Sequence, residues 1–367
     1  MPTADELIGD QAVATLISCL RKAEPGSSLA ALRRARSALA PLPLRQRADL
    51  LKDAMLADLP GDYDRLDGIM RTALASEAFT GWLIWPVTEA VAAKAIGAGS
   101  DAAFDAGLRL LADLTGRLTA EFAIRPMLDH DPARALAAVR GWTGSPDVHV
   151  RRLASEGTRP FLPWAKRVRA ILAEPAGTVP IIDALYRDES DYVRRSVANH
   201  LNDLTRQQPK LALDTAARWL DRPDGNTAGL VRHALRTLVK KGDPDALGLI
   251  GFEPAAGIVA AAPVLAAAAV AVGGELAFSV SIENTGDTAA RLAIDYVVHH
   301  VKANGSRTPK VFKLTTRTLA PGERATLSRR HSFKQISTRR YHAGTHALQI
   351  QVNGVAGEPA EFDLTVD

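Results

Sequence analysis

The stretch from Val150 to Arg167 carries residue types from which a reactive site can be built. It reads Val150-Arg151-Arg152-Leu153-Ala154-Ser155-Glu156-Gly157-Thr158-Arg159-Pro160-Phe161-Leu162-Pro163-Trp164-Ala165-Lys166-Arg167. Arg152 and Glu156 stand at i and i+4 of a helix that Gly157 should end, and a proline-stiffened turn then offers Trp164 ahead of a basic segment. A carboxylate can stabilise positive charge developing at a carbon and orient a water. An indole face can hold a sugar ring and attract a cation. The plainer reading is that Glu156 only pairs with Arg152 and that Trp164 caps a core. Pro163 and Ala165-Lys166-Arg167 on either side favour an indole that is at least half exposed.

Helices must position this run. From residue 10 to about 250 apolar residues recur at three and four, as in 12–22, 29–39, 44–59, 63–73, 102–114, 132–141 and 210–220, with breaks at Pro or Gly. Asp147-Val148-His149-Val150-Arg151-Arg152-Leu153-Ala154 resembles Asp191-Tyr192-Val193-Arg194-Arg195-Ser196-Val197-Ala198, and Gly229-Leu230-Val231-Arg232-His233-Ala234-Leu235 is a looser third copy. Val150 to Val193 is 43 positions and Val193 to Val231 is 38, near the period of about 40 to 47 of HEAT-type helix pairs. Stacking such repeats would set Arg151, Arg152, Arg159, Lys166, Arg167, Arg169, Arg194 and Arg195 along one concave surface as a phosphate track. The alternative is that individual arginines bind carbonyls and acids inside the repeats. His200 is grouped with the DNA contacts, with a structural role as its alternative, and no further ligands stand at metal spacing around it. Trp82 and Trp85 fit an apolar helix start and read as core.

After Gly251 the period falls to two. Strands are expected over 275–283, 290–301, 311–318, 324–332, 346–352 and 361–366, separated by turns such as Asn284-Thr285-Gly286-Asp287 and Pro321-Gly322-Glu323. Residues 258–272 read as an interdomain linker running into a buried strand. The expected fold class is mainly α: a HEAT-like α-α superhelical solenoid over 1–250, followed by a small all-β immunoglobulin-like sandwich over 251–367. Arg324, Arg329, Arg330, His331, Lys334, Arg339 and Arg340 cluster in the sandwich, as a second DNA clamp or a solvated face.

Composition narrows the classes. The 367 residues carry a formal net charge of +4 and 5% aromatic residues, which suits Ala- and Leu-filled helix seams better than a large aromatic β core. Cys19 is the single cysteine, which excludes an intramolecular disulfide and a Cys-rich zinc site. The acidic start of the chain lacks the features of a signal peptide, and 258–272 is short for a membrane span and contains Pro263. A cytoplasmic protein without membrane contact is expected.

The run 150–167, with Glu121-Phe122-Ala123-Ile124-Arg125-Pro126 upstream and Asn199-His200-Leu201-Asn202-Asp203 downstream, resembles the AlkC branch of the HEAT-repeat alkylpurine DNA glycosylases. The resemblance covers the helical part, and the sandwich is similar to the immunoglobulin-like extension that some members carry. It implies a monofunctional glycosylase that removes cationic N-alkylated bases, 3-methyladenine and 3-methylcytosine, from double-stranded DNA. It further implies no metal or other cofactor, and a lesion engaged through its sugar and backbone without the usual flipping into a pocket. Glu121, Glu156 and Asp203 become the candidate carboxylates and Trp164 the candidate sugar contact, in a protein expected to act as a monomer. A cationic base leaves as a neutral molecule and needs no general acid, so the demand falls on the oxocarbenium character at C1′. The rivals are a non-catalytic HEAT scaffold, which would not need a carboxylate and a tryptophan beside an arginine track, and a sugar-binding or adhesion protein built on the sandwich.

Overall fold

Short polar side chains start the helices of the N-terminal part. Asp62, Ser100, Asp131 and Asp147 each accept a backbone N–H of the first turn, from Arg65, Ala103, Arg134 and His149 respectively, satisfying donors that the helix leaves open. The computed structural model describes residues 3–253, 256–336 and 339–366, and the chain divides into two units, Met1–Ala234 and Leu235–Asp367.

In the first unit equivalent helices pack in succession: Asp10–Ala23, Tyr63–Leu74, Asp101–Thr115, Val148–Gly157, Asp191–Leu204 and Thr227–Ala234 form one row. Leu44–Asp58, Ile84–Gly97 and Ile124–His130 pack as a second row. Apolar residues at helical spacing fill the seams, among them Leu108, Leu111, Leu153, Val193, Val197 and Leu201, all buried. The first arginine of each V-R-R pair repeats one contact. Arg151 donates to the carbonyls of Ser145 and Pro146, and Arg194 to those of Asp188 and Glu189. The side chain turns back at each repeat to satisfy the chain entering its own helix.

The division lies ahead of residue 250, where sequence put it, because two short helices, Arg236–Lys241 and Pro244–Leu249, join the second unit. Gly242 (φ +76°) lets the chain pass so close to Gly354 that a Cβ would sit 2.8 Å from its carbonyl oxygen. Leu247 and Phe252 bury together with Ala293.

The rest of the second unit is a sandwich of β1 (Ile258–Ala260), β2 (Val264–Leu265), β3 (Ala269–Ala271), β4 (Glu275–Asn284), β5 (Ala290–Val301), β6 (Arg307–Leu319), β7 (Arg324–Ser332), β8 (Gly344–Val352), β9 (Val355–Ala356) and β10 (Ala360–Thr365). One sheet joins β1 and β2 to one edge of β4 and β7 to the other; the second runs β3-β10-β8-β5-β6, with β9 on β8. Alternation puts Leu276, Phe278, Val280 and Ile282 of β4 against Leu292, Ile294, Tyr296 and Val298 of β5 in one core. The expected linker 258–272 instead supplies three edge strands, with Val264 68% exposed. Their alanine-rich run lacked the alternation that marks a half-buried strand.

Candidate functional site

Gly157 ends the Val148–Gly157 helix where a side chain would not fit: a Cβ there would come within 2.7 Å of Ile124 Cγ2. The chain then loops through Pro160 and Pro163 to Trp164, which adopts the left-handed region at φ +63° and is 71% exposed. A bulky residue in that region costs about 1–2 kcal/mol. Arg125, itself 2% exposed, holds the loop from beneath. Its Nη1 donates to the carbonyls of Gly157 (3.0 Å) and Arg159 (2.9 Å), and its Nε to that of Lys166 (2.5 Å). Sequence reasoning missed Arg125, although it stands in the run that carried the resemblance.

Side-chain contacts join this segment to the Asp191–Leu204 helix along its length. His149 meets Tyr192 edge-on at 5.9 Å, and Arg152 lies over the same ring at 5.2 Å. Ser196 Oγ donates to Glu156 Oε2 at 2.6 Å, and Arg159 Nε to Asp203 Oδ2 at 3.0 Å. Arg159 Nη1 also donates to Glu156 Oε1 at 2.6 Å, so one guanidinium ties two buried carboxylates. Asp203 additionally accepts the Phe161 backbone N–H at 3.3 Å, which anchors the loop. Glu121, in the turn before the Ile124–His130 helix, accepts from Thr119 Oγ1 at 3.0 Å and pairs with Arg152, whose Nη2 is 3.6 Å from Glu156.

Burial pushes the Glu156 carboxyl up, but Arg152, Arg159 and the hydrogen bonds from Ser196 and Arg159 outweigh it and hold the group below the usual glutamate range. Burial likewise pulls Arg159 down, and its carboxylate partners more than restore it. Three carboxylates against two guanidinium groups leave the cluster one formal negative charge. Glu121, Glu156, Arg159 and Trp164 line a cleft of about 250 Å³ together with Trp82 and Phe122. Trp82, read as core, is therefore a wall of the cleft, while Trp85 is buried and stacks on Phe122 at 4.6 Å. Asp203 is not part of the lining and reaches it through Arg159. Such an arrangement suits a cation: an exposed aromatic face stands beside negative charge that is buried and held in place.

The expected phosphate track separates into two kinds of residue. Lys166, Arg167, Arg169 and Arg195 are exposed. Arg151 and Arg194 are turned inward, Arg151 onto Asp188 at 2.7 Å, and cannot serve as open phosphate contacts. Arg152 and Arg159 are bound to the carboxylate cluster and not presented to a backbone. His200 is fully buried between Thr178 Oγ1 (3.0 Å) and the Ser155 carbonyl (2.9 Å), and burial pulls its ring down to about 4, so its DNA-contact role is corrected to a structural one. In the second unit Arg329, Arg330 and Arg340 are exposed, whereas Arg339 donates to His300 Nε2 at 2.8 Å and is partly buried. Among the described residues no group of three or more His, Cys, Asp or Glu is arranged to hold a metal, and no helix is long and apolar enough to cross a membrane.

Residues 259–366 match the family described as "Uncharacterised protein YhaZ, C-terminal Ig-like domain". Protein YhaZ of Bacillus subtilis is 38% identical over 261 residues, covering 71% of this chain and 72% of the relative. The Pseudomonas fluorescens alkylpurine DNA glycosylase AlkC, solved bound to DNA containing an abasic site analog, superposes with a TM-score of 0.87 at 33% identity, over 99% of this chain and 100% of that one.

Proposed function

The chain belongs to the AlkC family, and from that premise we propose that it is a monofunctional DNA glycosylase that removes cationic N-alkylated bases from duplex DNA. The observation that carries the reading is the cluster of Glu121, Glu156 and Asp203 around Arg152 and Arg159 beneath an exposed Trp164. An N3-alkylated base such as 3-methyladenine or 3-methylcytosine is already positively charged. It departs neutral, and the barrier lies in the charge left on the sugar. Trp164 offers a face to the deoxyribose and to the developing cation, a contact of about 0.5–2 kcal/mol.

Glu156, with both oxygens fixed, supplies preorganised negative charge rather than a mobile base. Glu121 Oε2 takes the contacts from Thr119 and Arg152, so Oε1 is the oxygen that would orient water toward C1′. Asp203 acts through Arg159 and the Phe161 N–H, and holds the loop that presents the indole. Fixed charge of this kind contributes about 3–4 kcal/mol, or roughly 10²–10³ in rate. A cleft of about 250 Å³, open on the indole side, also fits a mechanism that leaves the base in the duplex. Arg329, Arg330 and Arg340 are proposed to grip DNA from the second unit, and the protein is proposed to act as a cytoplasmic monomer. The test is Glu156→Gln: release of methylated base should fall at least about a hundredfold with duplex binding little changed. Binding without release in the wild type would instead identify a non-catalytic DNA-binding scaffold.

A further inference from the structure

A second cleft, of about 380 Å³, takes part of its lining from the same loop and holds five cations: Arg45 and Lys52 of the Leu44–Asp58 helix, Arg125, Lys166 and Arg167. Three acids line it as well, but each is engaged by an arginine. Arg45 pairs with Asp49 at 3.2 Å and Glu89 at 3.0 Å; Asp129 accepts the Arg169 backbone N–H at 2.9 Å and pairs with its guanidinium at 3.3 Å. Five cations against three acids leave two formal positive charges on the lining.

The residual charge sits on the loop side. Neither Lys166 nor Arg167 has a carboxylate partner among the described residues; Arg167 donates to the Leu162 carbonyl at 3.3 Å and lies over Phe161 at 4.8 Å. Lys52 lies 3.1 Å from its chain neighbour Asp53, which is outside the lining. Behind them Arg125 gives three donors to carbonyls while Nη2 has no hydrogen-bond partner among the described residues. Burial first, and then the charges of Arg167 and Arg159, pull this guanidinium down to about 10, the mark of a cation short of negative charge.

We propose that this cleft binds a phosphate group, contacted by Lys52, Lys166 and Arg167 with Arg125 as the buried charge behind them. Resting on the function proposed above, the phosphate is a backbone phosphodiester of the strand whose sugar meets Trp164. Consecutive loop residues serve the two clefts, Trp164 one and Ala165 to Arg167 the other, and Phe122 lines both. A strand seated by its phosphate would thereby fix the loop that presents the indole. Arg45 and Lys52 come from an element that sequence reasoning did not connect with the site.

The test couples protein and DNA changes. Duplexes with an abasic-site analogue and one neutral methylphosphonate linkage, moved stepwise along each strand, are titrated with wild type, Lys52→Ala, Lys166→Ala and the exposed control Lys22→Ala. At one linkage the wild type and control should lose about tenfold in affinity, the size of one charge-assisted contact, and Lys166→Ala should lose nothing further there. Its logarithmic salt slope should also fall by about 0.9. In parallel, phosphorus NMR of inorganic phosphate at matched ionic strength reports on the cleft without DNA. Broadening lost in both cleft variants, with no coupled linkage, would identify a free-phosphate site and overturn the backbone assignment. Absence of both effects would overturn the cleft altogether, even in a protein that releases base. A wild type that binds phosphate but neither binds DNA nor releases base would keep the cleft and sink the glycosylase.

Discussion

Replacing Ser196 by alanine removes one atom that touches Glu156 and leaves the carboxylate in place. Ser196 Oγ donates to Glu156 Oε2 at 2.6 Å, and both residues are buried, so no water readily substitutes. A hydrogen bond to a charged group contributes about 1.5–3 kcal/mol. Its loss removes one of the contacts that outweigh burial, so the Glu156 pKa should rise. The proposed role requires Glu156 ionised, which Arg152, Arg159 and Ser196 ensure by holding it below the usual range against the upward push of burial. In Ser196→Ala the acid limb of the single-turnover rate of 3-methyladenine release should therefore move to higher pH, measured between about pH 4 and 8. Ser196→Thr, which keeps the hydroxyl, should restore the limb. A rate that falls equally at every pH, with the limb unmoved, would mean that Ser196 does not hold Glu156 ionised and only packs.

Further outcomes concern the loop, the sandwich and the clamp. Trp164→Gly should change unfolding free energy by no more than about 1 kcal/mol, since the indole is 71% exposed and its left-handed backbone suits glycine. Release should nevertheless fall at least about tenfold; a large loss of stability in a urea titration would mean that the indole packs. In the second unit His300, His331 and His346 are buried together, and burial pulls His331 down to about 4 and His300 to about 3. Their folded values lie below the unfolded one, so stability should decline as pH falls below about 6.5 and level off near the folded values. His331→Gln should make that decline shallower by close to one proton, and an unchanged slope would contradict the placement. Replacing Arg329, Arg330 and Arg340 together by alanine should weaken duplex binding and lower its salt slope by about 0.9 for each phosphate no longer neutralised. An unchanged slope would remove the second unit from the interface.

Periodicity was enough to read helices such as those over 63–73, 102–114 and 210–220 and strands such as that over 275–283, because one face of each is buried and repeats at 3.6 or 2 residues. It could not say which arginines face outward. Adjacent residues on a helix point about 100° apart, so the V-R-R pattern marks the repeat without its rotation, and Arg151 and Arg194 proved to close their own repeats. The carboxylate, tryptophan and arginine types near Glu156 marked the candidate site. The tie through Arg159 between Glu156 and Asp203 spans more than forty residues and depends on how two helices stack. Arg125 and Trp82 were missed for a related reason: a buried arginine and a wall tryptophan look, one residue at a time, like any basic or core position. The unit boundary slipped because short helices over 236–249 carry helical periodicity yet pack on strands.

The most direct measurement is chromatographic detection of free base released by the purified protein from methylated duplex DNA, with chelator present and with Glu121→Gln, Glu156→Gln and Trp164→Ala beside it. The wild type should release 3-methyladenine and 3-methylcytosine, and the carboxylate variants should lose about a hundredfold or more while still binding duplex. No base released under any alkylation condition, by a protein that binds the same DNA, would contradict the proposed glycosylase function.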